Sequence, residues 1–299
     1  MPGCASTSPM RNAALAALLA SVTICGTALA EPAEPAEPAG SDDASAEARW
    51  DELRPMLFEG KTLLDGKDVI ELHAPSRALQ AAAVPVAFHT KFRQTPEHYV
   101  KAVSLVIDAN PAPLAAVFHF TPDSGQADAE TRLRVDDYTF IHAVVETNDG
   151  KFYETRSFVK AAGGCSAPMS KDAAAAAHQI GQMRFRQVGE FLPGTPNLAQ
   201  LKINHPNNSG MQMDQMTRLY IPAHYIRTIS VTLDGKPIMN VDADISLSQN
   251  PFFRFYYVPQ HPGPLKVSVK DNLNESFTSS WPVGPQASAG QTASEANMK

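Results

Sequence analysis

Cys165 follows two glycines, Gly163 and Gly164, and precedes Ser166-Ala167-Pro168. A thiol acts as nucleophile, redox group or covalent anchor through its thiolate, and a free cysteine titrates at about 8.5. The glycines admit backbone conformations closed to other residues, and Pro168 marks a loop rather than core. This setting predicts an exposed, mobile thiol carried outward on an arm, with Lys160 and Lys171 flanking it and favouring the thiolate. Two blander readings stay open: a small buried hydrophobe and an intermolecular disulfide.

A second set of donors lies downstream. Met211-x-Met213-x-x-Met216 is bracketed by His205 and His224, and thioethers with imidazoles suit Cu(I). Against a copper site stands the use of methionine as gap filler in a core or interface; a partner-facing loop is a third reading. His119 and His142 fall in strand patterns and read as structural or solvent-facing positions. His73, His89 and His98 are scattered, and Asn110-Pro111 and Asn250-Pro251 read as strand-end turns. No metalloprotease, serine-hydrolase, P-loop or dinucleotide motif is present, so no catalytic set and no cofactor are expected.

The 299 residues carry a formal charge of −6 and are 43% hydrophobic. Such a chain can bury a core, and without a basic stripe it is not expected to bind nucleic acid. Arg11, an apolar run over 13–19 and the ending Ala28-Leu29-Ala30 have the parts of a secretory signal peptide. Residues 1–30 are thus expected to be removed on export to the periplasm, with no membrane insertion afterwards. Removal would take Cys4 and Cys25 away and leave Cys165, of the three cysteines, without a partner in its own chain.

The elements that must position these groups are strands. Residues 31–49, beginning with repeated Glu-Pro-Ala, read as a disordered tether. Trp50, Leu53, Leu57 and Phe58 give a short amphipathic helical pattern. Segments 84–88, 99–107, 115–120, 140–146 and 152–159 read as strands, the last two joined by the hairpin turn Asn148-Asp149-Gly150. A joiner at 171–183 leads to further strands at 187–192, 199–204, 225–233, 245–247, 252–258, 265–270 and 276–281, with Asp234-Gly235 as a second hairpin turn. Residues 285–299 read as a frayed tail. The expected fold is all-β: two tandem immunoglobulin-like antiparallel sandwiches, at 50–170 and 184–284.

The order of the motifs resembles a fusion of SoxY and SoxZ, the subunits of the periplasmic sulfur carrier of thiosulfate oxidation. Val84-Pro85-Val86, Ile107-Asp108-Ala109-Asn110-Pro111-Ala112-Pro113 and Val159-Lys160 leading to Gly163-Gly164-Cys165 carry the SoxY likeness. Ile203-Asn204-His205-Pro206, Ser209-Gly210, Ile245-Ser246-Leu247-Ser248-Gln249-Asn250-Pro251 and 267–272 carry the SoxZ likeness. More narrowly, the chain is similar to fused SoxYZ-like carriers associated with quinoprotein (PQQ-dependent) dehydrogenases. The resemblance implies a covalent carrier rather than an enzyme, with Cys165 holding a sulfur-containing cargo. It also implies periplasmic redox partners, either Sox-type enzymes or a quinoprotein dehydrogenase and cytochrome c. In SoxY the cysteine sits in a Gly-Gly-Cys-Gly-Gly arm at a free C-terminus. Here Ser166-Ala167-Pro168 follow it and the arm is internal, which implies a shorter reach.

Overall fold

The computed structural model describes residues 41–168, 179–285 and 291–292. The expected signal peptide, the first part of the tether, most of the joiner and most of the tail lie outside these residues. The first half contributes β1 (Leu63–Asp65), β2 (Ile70–His73), β3 (Val84–Thr90), β4 (Val100–Ile107), β5 (Leu114–Phe120), β6 (Ala129–Leu133), β7 (Thr139–Thr147) and β8 (Phe152–Val159). From the second half come β9 (Met183–Val188), β10 (Asn197–Ile203), β11 (Ile226–Leu233), β12 (Lys236–Ala243), β13 (Phe252–Tyr257), β14 (Gly263–Asp271), β15 (Ser276–Val283) and β16 (Gln291–Thr292).

Alternation explains most of these strands. In β3, Val84, Val86 and Phe88 point inward while Pro85 and His89 face out; in β14, Leu265, Val267 and Val269 are buried between exposed Lys266 and Lys270. β4 and β7 break the rule by burying both faces. The cause is helix α1 (Ser41–Leu57), which seats Trp50 against Val106 and Val144 on the outer face of their sheet. The helix starts well before Trp50, correcting the expectation of disorder through residue 49. Ala46 is buried beneath it and Glu47 receives a two-pronged hydrogen bond from Arg156 on β8. These anchors come from the sheet, so local composition did not reveal them. The tail is corrected too, since Gln291 and Thr292 pair with β9. The segment 245–247 forms a turn closed by a single bridge, Leu133 to Leu247, rather than a strand.

Two immunoglobulin-like sandwiches are present, and they stand edge to edge with both sheets running through. One sheet has the order β1-β8-β7-β4-β5-β12-β11-β14-β15, the other β16-β9-β10-β13-β6-β3-β2. The halves meet where β5 pairs antiparallel with β12, from Phe120 opposite Met239 to Ala116 opposite Ala243. They meet again where β6 pairs with β13, Glu130 opposite Arg254. One hydrophobic cluster fills both sandwiches, with the Phe118 and Phe253 rings 6.3 Å apart across the junction. His119 bonds Asp242 from β5 to β12 at 3.0 Å.

Candidate functional site

The arm that carries Cys165 leaves β8 and lies in a cradle built by both halves. Gly163 N–H donates to the Asp136 carbonyl (2.8 Å) and Gly164 N–H to that of Val135 (3.0 Å). Cys165 N–H donates to Asp136 Oδ1 at 3.0 Å, and the Ser209 hydroxyl donates to the Cys165 carbonyl. The last contact comes from the segment after β10, so the second half closes the cradle.

Arg134 holds the same place from beneath. It is 2% exposed, donating from Nη1 to the Gly164 carbonyl (3.3 Å) and from Nη2 to the Asn207 carbonyl (2.9 Å). Its backbone N–H donates to the Ser246 carbonyl. Asn110 braces the ring from the first half, donating to the Arg134 carbonyl and Ser246 Oγ, both at 2.8 Å, while its Oδ1 accepts from Asp136 N–H at 2.9 Å. This turn residue is therefore a buried bracket between the halves.

The arm is a loop, but its thiol is not exposed: Cys165 has no accessible surface. The expectation of an outward-facing thiol is corrected by the role of Gly164, where an added β-carbon would lie 2.3 Å from the Ala81 carbonyl oxygen and 2.4 Å from that of Val135. The glycine lets the arm sink inward. Gly163 supplies the turn above it with φ of +73°. Burial, reinforced by the Asp136 charge and only partly opposed by Arg134, pushes the thiol up to about 12. The docked thiol is thus protonated at neutral pH and a poor nucleophile. Lys160 does not serve it, lying over the Tyr138 ring at 5.7 Å; Lys171 falls outside the described residues.

The Met/His candidates divide by environment. Met213 and Met216 are 38% and 91% exposed, and Met211 is half-buried, in a loop whose apolar tip also presents Leu219 and Tyr220. His205 is buried and His224 nearly so, their rings 4.6 Å apart. Both meet Asp271 at the end of β14, a residue the sequence reading did not single out. Burial and the neighbouring His224 hold His205 down at about 4.

His142 is a structural residue, as its strand position suggested. It is fully buried beneath Trp50, stacked at 3.8 Å, with one ring nitrogen 3.0 Å from Asp108 and the other 2.8 Å from Glu154.

Two family profiles match in tandem: "Sulfur oxidation protein SoxY" over residues 54–165 and "Sulphur oxidation protein SoxZ" over 185–282. The chain belongs to the SoxY–SoxZ family, with both parts in one polypeptide. The SoxY match ends on Cys165 itself. Among solved structures, the SoxY sulfur carrier of Chlorobium limicola f thiosulfatophilum aligns at 24% identity over 40% of this chain and 98% of its own, with a TM-score of 0.33. A variant of the superoxide reductase (neelaredoxin) from Ignicoccus hospitalis aligns at 13% identity over 38% and 90%, TM-score 0.29. The fibronectin(III)-like modules of Clostridium thermocellum CbhA align at 10% over 71% and 92%, TM-score 0.21. No protein of curated function matches.

SoxY–SoxZ membership makes the chain a non-catalytic sulfur-oxidation carrier that works with Sox-type enzymes. The join between the SoxY and SoxZ halves runs beneath Cys165, through Arg134, Asn110, Asn207 and Ser209. Sequence reasoning missed Arg134, Asp136 and Asn207, noted Ser209 only as part of the SoxZ likeness, and took Asn110 for a turn. The available signal was the clustering of short polar residues beside prolines in both halves, Asn110-Pro111 and Pro206-Asn207-Asn208-Ser209. Their partners lie up to 136 positions away.

Proposed function

We propose that this chain is a periplasmic covalent carrier that holds a sulfur-containing intermediate on Cys165 and delivers it by releasing the arm from its cradle. The observation that carries this reading is a SoxY match that runs to Cys165 as its last residue. The cradle supports it as well. The arm is held through hydrogen bonds to its own backbone groups, worth roughly 0.5–1.5 kcal/mol net where both partners are neutral and about 1.5–3 where Asp136 or Arg134 is the partner, so it can open without unfolding the sandwiches. Docked, the thiol is protonated and sheltered; released, it returns toward an ordinary cysteine and can take up cargo. Residues 1–30 would direct export, and the exposed Met216, Leu219 and Tyr220 beside Ser209 would face the loading enzymes. A quinoprotein dehydrogenase with cytochrome c is the finer partner assignment within the same scheme, resting on the subgroup resemblance alone.

Alkylation kinetics across low denaturant concentrations test the reading, with Cys165→Ser as control. The expected result is labelling by a local opening, at a rate insensitive to denaturant until the global transition. Intact mass of protein from the native periplasm, before and after mild reduction, should show a reducible adduct mapping to Cys165. Labelling that tracks global unfolding throughout, together with a thiol never found modified, would end the carrier reading.

A further inference from the structure

Where β10 ends, β11 begins and β14 ends, three side chains converge, His205, His224 and Asp271, each offering a donor atom within 4.8 Å of the other two. His224 Nε2 lies 2.8 Å from Asp271 Oδ2, and His205 Nε2 lies 3.6 Å from the same oxygen. His205 is 1% exposed, and its Nε2 is a buried polar atom with no hydrogen-bond partner. Such an atom loses its hydration on folding and recovers nothing for it.

The other side of the ring explains the orientation. His205 Nδ1 is 2.7 Å from Asn207 Oδ1. That oxygen is fixed in place because it accepts from Ile226 N–H, while Asn207 Nδ2 donates to the Leu247 carbonyl. The Asn207 backbone N–H also points at Nδ1, at 3.1 Å, and would be accepted there only in the other tautomer; the shorter contact to a fixed acceptor favours the proton on Nδ1. Nε2 then presents a bare lone pair toward a carboxylate. In the other tautomer Nε2–H would still find no acceptor within hydrogen-bonding distance, so either way it is orphaned.

The carboxylate is set up in the same manner. Asp271 Oδ1 accepts from the backbone N–H groups of Leu273 (2.9 Å) and Glu275 (2.8 Å), which leaves Oδ2 to the two imidazoles. Glu275, half exposed, places Oε2 3.8 Å from His224 Nε2 at the mouth of the group. An imidazole whose second nitrogen donates to an oxygen, as in His205, and a carboxylate whose second oxygen is held by amides, as in Asp271, are outer-shell features of metal centres.

We infer that His205, His224 and Asp271 bind a divalent first-row transition-metal ion, with Glu275 or water in the fourth position. Two imidazoles and a carboxylate are borderline donors suited to Zn²⁺ or Fe²⁺ rather than Cu(I). Bonds of about 2.0–2.1 Å in tetrahedral array put donor atoms about 3.3 Å apart, between the 2.8 and 3.6 Å separations seen here. The ion would bind both sheets together, since His205 follows β10 in one and His224 and Asp271 flank β11 and β14 in the other. Met213 and Met216, facing solvent, are not needed as ligands.

The test uses the full chain, stripped with chelator and titrated with Zn²⁺ alone by calorimetry, then with Co²⁺ by visible absorption. The expected result is one equivalent bound at micromolar affinity or better, with tetrahedral Co²⁺ bands and a raised melting temperature. His224→Gln should weaken binding at least about 100-fold while the apo protein stays folded. Asp271→Asn should do the same, but it also touches loop backbone, so His224→Gln is the variant that decides. Equal Zn²⁺ affinity in wild type and His224→Gln, or loss of binding only when Met211, Met213 and Met216 are replaced, overturns the assignment. Cys165→Ser should bind as wild type does, which separates this site from the carrier reading.

Discussion

At the level of single residues, the docked state of the arm depends on an absent methyl group. Gly164→Ala should force the arm, with Cys165 on it, out of its cradle while leaving both sandwiches intact. Losing the Cys165 N–H bond to the Asp136 carboxylate alone is worth about 1.5–3 kcal/mol, so alkylation at pH 8 should accelerate roughly ten- to hundredfold, read by timed mass spectrometry. An unchanged rate would mean that the cradle does not control the thiol. His142 yields a pH prediction. Burial disfavours its charge, but the hydrogen bonds to Asp108 and Glu154 outweigh burial and raise it above its ordinary value. A raised histidine contributes stability that is complete below the unfolded value of about 6.5 and fades as pH climbs through the folded one. Urea midpoints should therefore fall over that window, and His142→Gln should flatten the dependence. The sequence singled out Cys165 and offered a structural position as one of two readings of His142. It could not disclose that the thiol is buried, because Asp136, Arg134 and Ser209 reach it from segments 29, 31 and 44 positions away.

At the level of elements, α1 is the addition that lets β4 and β7 bury two faces. Removing its anchor by Trp50→Ala should destabilise the protein by about 3–5 kcal/mol and uncover His142, with the urea midpoint as the measure. Near-normal stability in this variant would make α1 an ornament rather than a third layer. Strands with clean alternation or closing turns were readable: β8 spans the residues expected of it, and both hairpin turns lie where Asn148-Asp149-Gly150 and Asp234-Gly235 predicted. The strands that escaped notice were β1, β2, the two-residue β16, β6 and β12. Of these, β1 and β2 are short edges, and β6 has only five residues with Glu130 and Arg132 among them. β12 carries Pro237, Asn240 and Asp242. The last two escaped for a common reason: β6 and β12 each supply one side of a junction, so part of their stabilisation comes from the other half of the chain.

For the whole molecule, continuous sheets and one hydrophobic cluster predict that the halves cannot melt separately. Scanning calorimetry should show a single transition whose calorimetric and van't Hoff enthalpies agree; two resolved transitions would mean that the junction strands contribute little. Tandem sandwiches were legible from the run of strands and turns, whereas their merger through β5–β12 and β6–β13 was not, because edge pairing between halves leaves no local pattern. The position of Cys165 within one polypeptide has a mechanical consequence. The arm is fastened at Val159 before it and at Met183 after it, so it moves as a closed bight with no free end. The thiol lies six positions beyond Val159, which limits travel to about 20 Å at full extension. A terminal arm can thread a narrow tunnel, but a bight enters only where two strands of chain fit side by side. On the proposed carrier role, enzymes that load and unload this thiol would have to offer an open-sided trench.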